Sequence, residues 1–102
     1  MVRKAKVADV LEIVRRCAAT NRVKLSQHAE HRMEEREVTL LEVLHVLQTG
    51  WHEKAKDTYN DRFDEWDYAI RSKTGDERDL RVVIAVEEEP EVVVITVIDL
   101  DR

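Results

Sequence analysis

Apolar residues at Val7, Val10, Leu11, Val14, Cys17 and Ala18 recur three and four apart, the spacing of one helical face, with Arg15 and Arg16 off it. This predicts a first helix over 7–18, closed by Asn21. In "NRVKLS" Val23 and Leu25 alternate with Lys24, as in a short half-buried strand, and Ser26 follows as a helix N-cap. Residues 27–36 are then predicted as a second helix whose buried pair, Ala29 and Met33, lies four apart. "TLLE" at 39–42 has capping-box spacing and opens a third helix over 40–49, with Gly50 expected as its left-handed C-terminal residue.

After Gly50 the period shortens. Residues 51–59 fit neither pattern, but "WDYAIRS" at 66–72 alternates Trp66, Tyr68 and Ile70 with Asp67, Ala69 and Arg71, a half-buried strand. "KTGDERD" reads as a polar turn around Gly75. "LRVVIAVE" and "EVVVITVIDL", joined by "EEP", are β-branched runs apolar on both faces at their centres, so they are expected to be central strands of an antiparallel sheet. The fold class is α+β, with N-terminal helices packed on one face of a small C-terminal antiparallel sheet.

Length and composition narrow the picture. At 102 residues, without repeats or a Pro/Gly/Ser-rich linker, the chain is expected to form a single domain, 1–102. No apolar run approaches the roughly 18 residues of a membrane span, and "MVRKAKVADV" lacks the apolar core of a secretory signal. A membrane partner is therefore not expected, and the expected location is the cytoplasm. Cys17 is the only cysteine, which excludes an internal disulfide or a thiolate zinc cage; its place on the apolar stripe marks it as core. The net charge of −5 conceals a basic first part, +4 over residues 1–36, and an acidic remainder of −9. An acidic total argues against broad nucleic-acid binding but leaves room for a local phosphate site.

The candidate chemistry lies on helix two. His28, Arg32 and Arg36 are each four apart and share a stripe about 100° from Ala29 and Met33. Two arginines at that spacing repel by a few tenths of a kcal/mol, which an intervening phosphate would relieve. His28 falls in the first turn, where the helix dipole disfavours imidazolium and free amides welcome a phosphate oxygen, with the Ser26 hydroxyl alongside. A base, two cations and an acid suffice for metal-free RNA cleavage by 2′-hydroxyl attack. The plainer reading is a solvated helix edge whose arginine heads pair with neighbours such as Glu35. His28 and His31 lack a convincing third metal ligand, so neither a metal nor another cofactor is expected. His45 reads most simply as a residue of the exposed face of helix three or a satisfied core histidine, the pair Trp51 and Trp66 as core or sheet-edge packing, and Thr96 as a backbone-bonded hydroxyl.

The stretch "LSQHAEHRMEEREVTLLEVLHVLQTG", followed by "YAIRS" and two aliphatic strands, resembles the domain-of-unknown-function family 4258 over about residues 23–99. That family's core reads S-x-H-A-x-x-R-M-x-x-R, and Ser26, His28, Ala29, Arg32, Met33, Arg36 and Gly50 fit it; Glu37 stands where the family often has glycine. The resemblance implies a place among the small α+β ribonucleases and toxins of the barnase, EndoU, colicin nuclease and RelE superfamily. His28, Arg32 and, more weakly, Arg36 would then be active-site residues. The element order is also similar to the MqsR messenger-RNA interferase toxin, against which Lys54 falls near the active-site lysine. That toxin's glutamine and tyrosine lack clear counterparts, Asp67 and Tyr68 being only nearby. The implied function is a toxin-like endoribonuclease with catalytic His28, Arg32, Arg36, Lys54 and Tyr68 and with Ser26, Arg32 and Arg36 on the substrate. Its partners would be RNA, free or on the ribosome, and a cognate antitoxin. The alternative is a non-catalytic module on the same fold that binds RNA or protein.

Overall fold

A computed structural model describes residues 2–73, 78–88 and 90–101. The elements in chain order are α1 (Val10–Ala19), β1 (Val23–Leu25), α2 (Gln27–Arg36), α3 (Leu40–Thr49), β2 (Trp51–His52), a single 3-10 turn (Lys54–Lys56), β3 (Thr58–Asn60), β4 (Glu65–Lys73), β5 (Asp79–Glu87) and β6 (Glu91–Asp99). The expected polar turn around Gly75 falls on residues 74–77, outside the described residues, as does Glu89 of the turn between β5 and β6.

The architecture is α+β, three helices with one open sheet in the order β1-β6-β5-β4-β2, β3 joining the same edge of β4 as β2. The sheet is mixed rather than antiparallel. β1 runs parallel to β6, pairing Val23 with Val92 and Leu25 with Val94, while the other pairs are antiparallel. Only a chain that returns from a distant segment can supply a parallel neighbour, so no local pattern announces it.

On the helix side, register stacks Tyr68, Ile84 and Val94 in one row and Ile70, Val82 and Val97 in the next. All six are buried and meet Val10, Val14, Cys17, Ala29, Met33, Val43, Val46 and Leu47 from the helices. The register shifts by one residue between Val83 and Ile84, leaving Ile95 as a bulge on β6.

α2 is held at both ends. At its start the Ala29 N–H donates to Ser26 Oγ at 3.0 Å, and Ser26 Oγ–H donates to the Ile95 carbonyl at 3.1 Å, which ties the helix to the bulge. At its end Arg78 donates to the carbonyls of Arg36 and Glu37 at 2.6 and 2.8 Å and pairs with the buried Asp99 at 3.0 Å. A guanidinium there satisfies carbonyls that have no partner within the helix and complements its dipole. The thiol of Cys17 is buried, as expected, and donates to the Pro90 carbonyl.

Two helix ends differ from expectation. Gly50 has φ −75°, not the left-handed conformation. Space explains the glycine instead, since a Cβ there would lie 2.5 Å from the Val46 carbonyl oxygen and 2.7 Å from that of Arg71. Left-handed helix ends occur instead at Glu37, φ 54° and ψ 45° after α2, and at Asn21, φ 58°, the residue expected to close the first helix. α1 also starts late, at Val10, because Asp9 turns left-handed at φ 52°.

The two positions should respond oppositely to substitution. Glu37→Gly should raise unfolding stability by about 0.5–1 kcal/mol by removing left-handed strain. Gly50→Ala should lower it by about 1–3 kcal/mol, because the neighbouring atoms are backbone and cannot step aside. Urea denaturation of both variants checks this.

Candidate functional site

The motif stripe on α2 forms as expected, with His28 exposed in the first turn. Arg32 pairs with Glu35 at 3.1 Å, the neighbour named by the plainer reading, and both side chains are partly solvent-exposed. Such a pair is worth little and yields readily to another anion. Arg36 is half-buried, and its Nε is enclosed without a partner. Ser26 spends its proton on Ile95 and a lone pair on Ala29, so its hydroxyl serves the fold.

Lys54 and Tyr68 gather elsewhere. α2 packs on β6, whereas Tyr68 is on β4 and Lys54 follows β2 at the far edge. Three strand spacings, about 14 Å, separate β6 from β2. The residues of the sequence-derived site therefore fall into two groups.

The second group is made by a break in the sheet edge. β2 pairs with β4 at Arg71 and Ile70, and β3 pairs with it from Asp67 to Glu65; the 3-10 turn bulges out between them. Glu53 N–H reaches the Ala69 carbonyl at 2.8 Å. The Ala69 N–H is met by a side chain, Asp57 Oδ1, at 2.9 Å. Buried there with no exposed side-chain surface, Asp57 also receives Lys6 Nζ at 2.9 Å on Oδ2 and His52 Nε2 at 3.0 and 2.8 Å on its two oxygens. A carboxylate only accepts, so His52 Nε2 carries a proton, and in the neutral ring the lone pair is then on Nδ1.

Tyr68 supports this arrangement from below. It is buried, its ring stands edge-on to His52 with centroids 5.8 Å apart, and its oxygen accepts the Val7 N–H at 2.7 Å. Tyr68 is thus placed to position neighbours rather than to touch a substrate. Above it, a groove of about 410 Å³ runs between the start of α1 and this edge, with His52, Lys54, Lys6 and Asp9 among its lining residues. Lys54 is exposed.

The corner that carries His52 is braced on the other side. Glu53 accepts Arg81 Nε at 2.7 Å and Arg71 at 3.0 Å, and Asp79 grips Arg71 with both oxygens at 3.0 and 2.7 Å. The Arg81 hydrogen bond holds the Glu53 carboxyl below its ordinary range, assisted by Arg71, and Arg71 does the same for Asp79.

A family model described as domain of unknown function (DUF4258) matches residues 25–99. The chain belongs to this family. The family's segment includes His28, Arg32 and Arg36 as well as His52, Lys54, Asp57 and Tyr68, while Lys6 and α1 precede it. No curated protein and no solved structure matches the chain. His52, Asp57 and Lys6 were not singled out by pattern; their only trace in the sequence is a histidine and an aspartate five apart across an irregular stretch.

The bracing makes a pH dependence. Because Glu53 and Asp79 titrate lower folded than unfolded, their stabilisation is fully present above the ordinary carboxylate range and is lost as pH falls through the depressed folded values. Glu53→Gln should therefore flatten the loss of stability in acid, as followed by thermal melts from neutral pH downward. The His52 tautomer is also testable. In Asp57→Asn the oxygen must stay on the Ala69 N–H, which turns the amide NH₂ toward His52 Nε2 and drives the ring proton to Nδ1; imidazole ¹⁵N shifts should report that switch.

Proposed function

We propose that the protein cleaves RNA without a metal, by attack of a 2′-hydroxyl on the adjacent phosphate, in the groove beside His52. The observation that carries this reading is a histidine whose one nitrogen is held by a fully buried carboxylate, beside two lysines at the lip of a groove. A base oriented by a third group is the recurrent arrangement for activating a hydroxyl. The family resemblance carried by the α2 motif implies a place among small ribonucleases, which agrees with this substrate.

In this mechanism His52 Nδ1 takes the 2′-hydroxyl proton as O2′ bonds to phosphorus. Asp57 stabilises the imidazolium. The P–O5′ bond breaks, the Lys54 ammonium protonates the leaving 5′-oxygen, and a 2′,3′-cyclic phosphate and a 5′-hydroxyl remain. Lys54 and Lys6 offset the extra negative charge on the phosphorane. Arg32 and Arg36, on α2, would hold a more distant backbone phosphate, with His28 beside it.

The second reading, a binding module without cleavage, is favoured by one feature: Lys6 already neutralises Asp57, as in a clamp that pins the N-terminal arm. Purified protein incubated with mixed RNA in EDTA separates the two. Cleavage with cyclic phosphate ends is expected, and His52→Ala should lower it by about 10²–10⁴-fold, the usual worth of general acid–base catalysis. Asp57→Asn should lower turnover with little change in RNA affinity. Loss of activity in His28→Ala but not His52→Ala would move the centre to α2, and RNA binding without cleavage by the wild type would establish the binding module.

A further inference from the structure

We propose that the helix-free face of the sheet holds a site for an organic cation, a guanidinium or ammonium on a short alkyl stem, with Asp67 as its anionic floor. The site lies on the opposite face of the sheet from His52 and is independent of RNA cleavage. Asp67 is the third residue of β4 and pairs across the ladder with Thr58, which supplies no cation. The residue is 8% exposed, and its Oδ1 is buried without a hydrogen-bond partner. An ionised oxygen in that condition is costly unless something positive comes to it.

The space beside it suits such a visitor. Asp67 lines a cavity of about 270 Å³ whose walls are Ala85, Val93 and Ile95, with Phe63 at the rim and Glu65 and Glu87 completing an acidic ring. That volume is several times the roughly 30 Å³ share of one water, room for an alkyl stem as well as a head group. Apolar walls with a few convergent charges are the usual composition of a small-molecule site.

Among the described residues, several cations stand near this ring and are engaged there or beside it. Lys24 acts on Glu87 from β1 but is bonded to Glu91 at 2.8 Å; Lys4 acts on Glu65 from the N-terminal arm; Arg62 lies over the Phe63 ring, 5.5 Å from its centre. Burial pushes the Asp67 carboxyl up, and a hydrogen bond from Asn60 opposes it only in part. Glu65 is pushed up by burial and then by Asp67 itself. A single bound cation would offset both the burial of Asp67 and the repulsion that Asp67 exerts on Glu65.

Titration with butylguanidinium, followed by amide shifts in a ¹H–¹⁵N spectrum, tests the proposal against N-butylurea, a neutral molecule of the same shape. Saturable shifts confined to residues near 65–67, 85–87 and 93–95 are expected for the cation and not for the urea. Asp67→Asn should weaken binding at least tenfold, and Glu87→Gln, at an exposed position, two- to fivefold; the latter carries the test if the former does not fold. A capped Gly-Arg-Gly peptide distinguishes the sources. Tighter binding than butylguanidinium supports an arginine side chain as the cation, and weaker binding supports a free small molecule. Absence of saturable shifts, equal response to the urea, or unchanged affinity in both variants would overturn the site.

Discussion

One backbone group organises the edge of this sheet. The N–H of Ala69 faces a gap between β2 and β3, in a buried position where an unpaired donor is expensive. The Asp57 carboxylate fills the gap, and because it has capacity to spare it gathers His52 and Lys6 as well. Each partner offsets the cost of burying the charge that the next one needs. The break in pairing, the 3-10 turn, the orientation of the imidazole and the tether of the N-terminal arm are thus aspects of a single solution to one unsatisfied amide.

The same economy appears on α2. Its N-terminal hydroxyl and its C-terminal carbonyls are bonded to β6 and to Arg78, and the buried Asp99 anchors that guanidinium. With both ends fixed, the side on which His28, Arg32 and Arg36 project is set by Ser26, Arg78 and the backbone of the helix rather than by the side chains of the stripe. Neutral packing by Ala29 and Met33 does the rest.

Much of this was legible, and the division follows range. The bounds of α2 and α3 coincide with expectation because Ser26 and the Thr39–Glu42 box act within a single turn. The buried rows of β5 and β6 follow from their composition. Local chemistry misassigned the left-handed position, since glycine at 50 answers to crowding by Arg71 on another strand, while Glu37 accepts strain that its own type disfavours. The late start of α1 follows from the left-handed turn at Asp9, and the Val7 N–H ahead of it is met by Tyr68 from a distant strand. Lys54 and Tyr68 entered only through the resemblance, and the aspartate near them has meaning only once β2 and β3 dock on β4.

The parallel pairing of β1 with β6 has a consequence for how the chain comes into being. Residues 23–25 find their partners at 92–94, the longest reach in the sheet. During synthesis the first three helices emerge before any strand able to cover their apolar faces, and β1 waits with an unsatisfied edge until the segment at 92–94 has been made. Closing so long a loop is slow and leaves sticky surface exposed in the meantime. Nascent chains stalled before residue 92 are therefore natural clients for chaperones, and a slower ribosome lengthens their exposure rather than helping them fold.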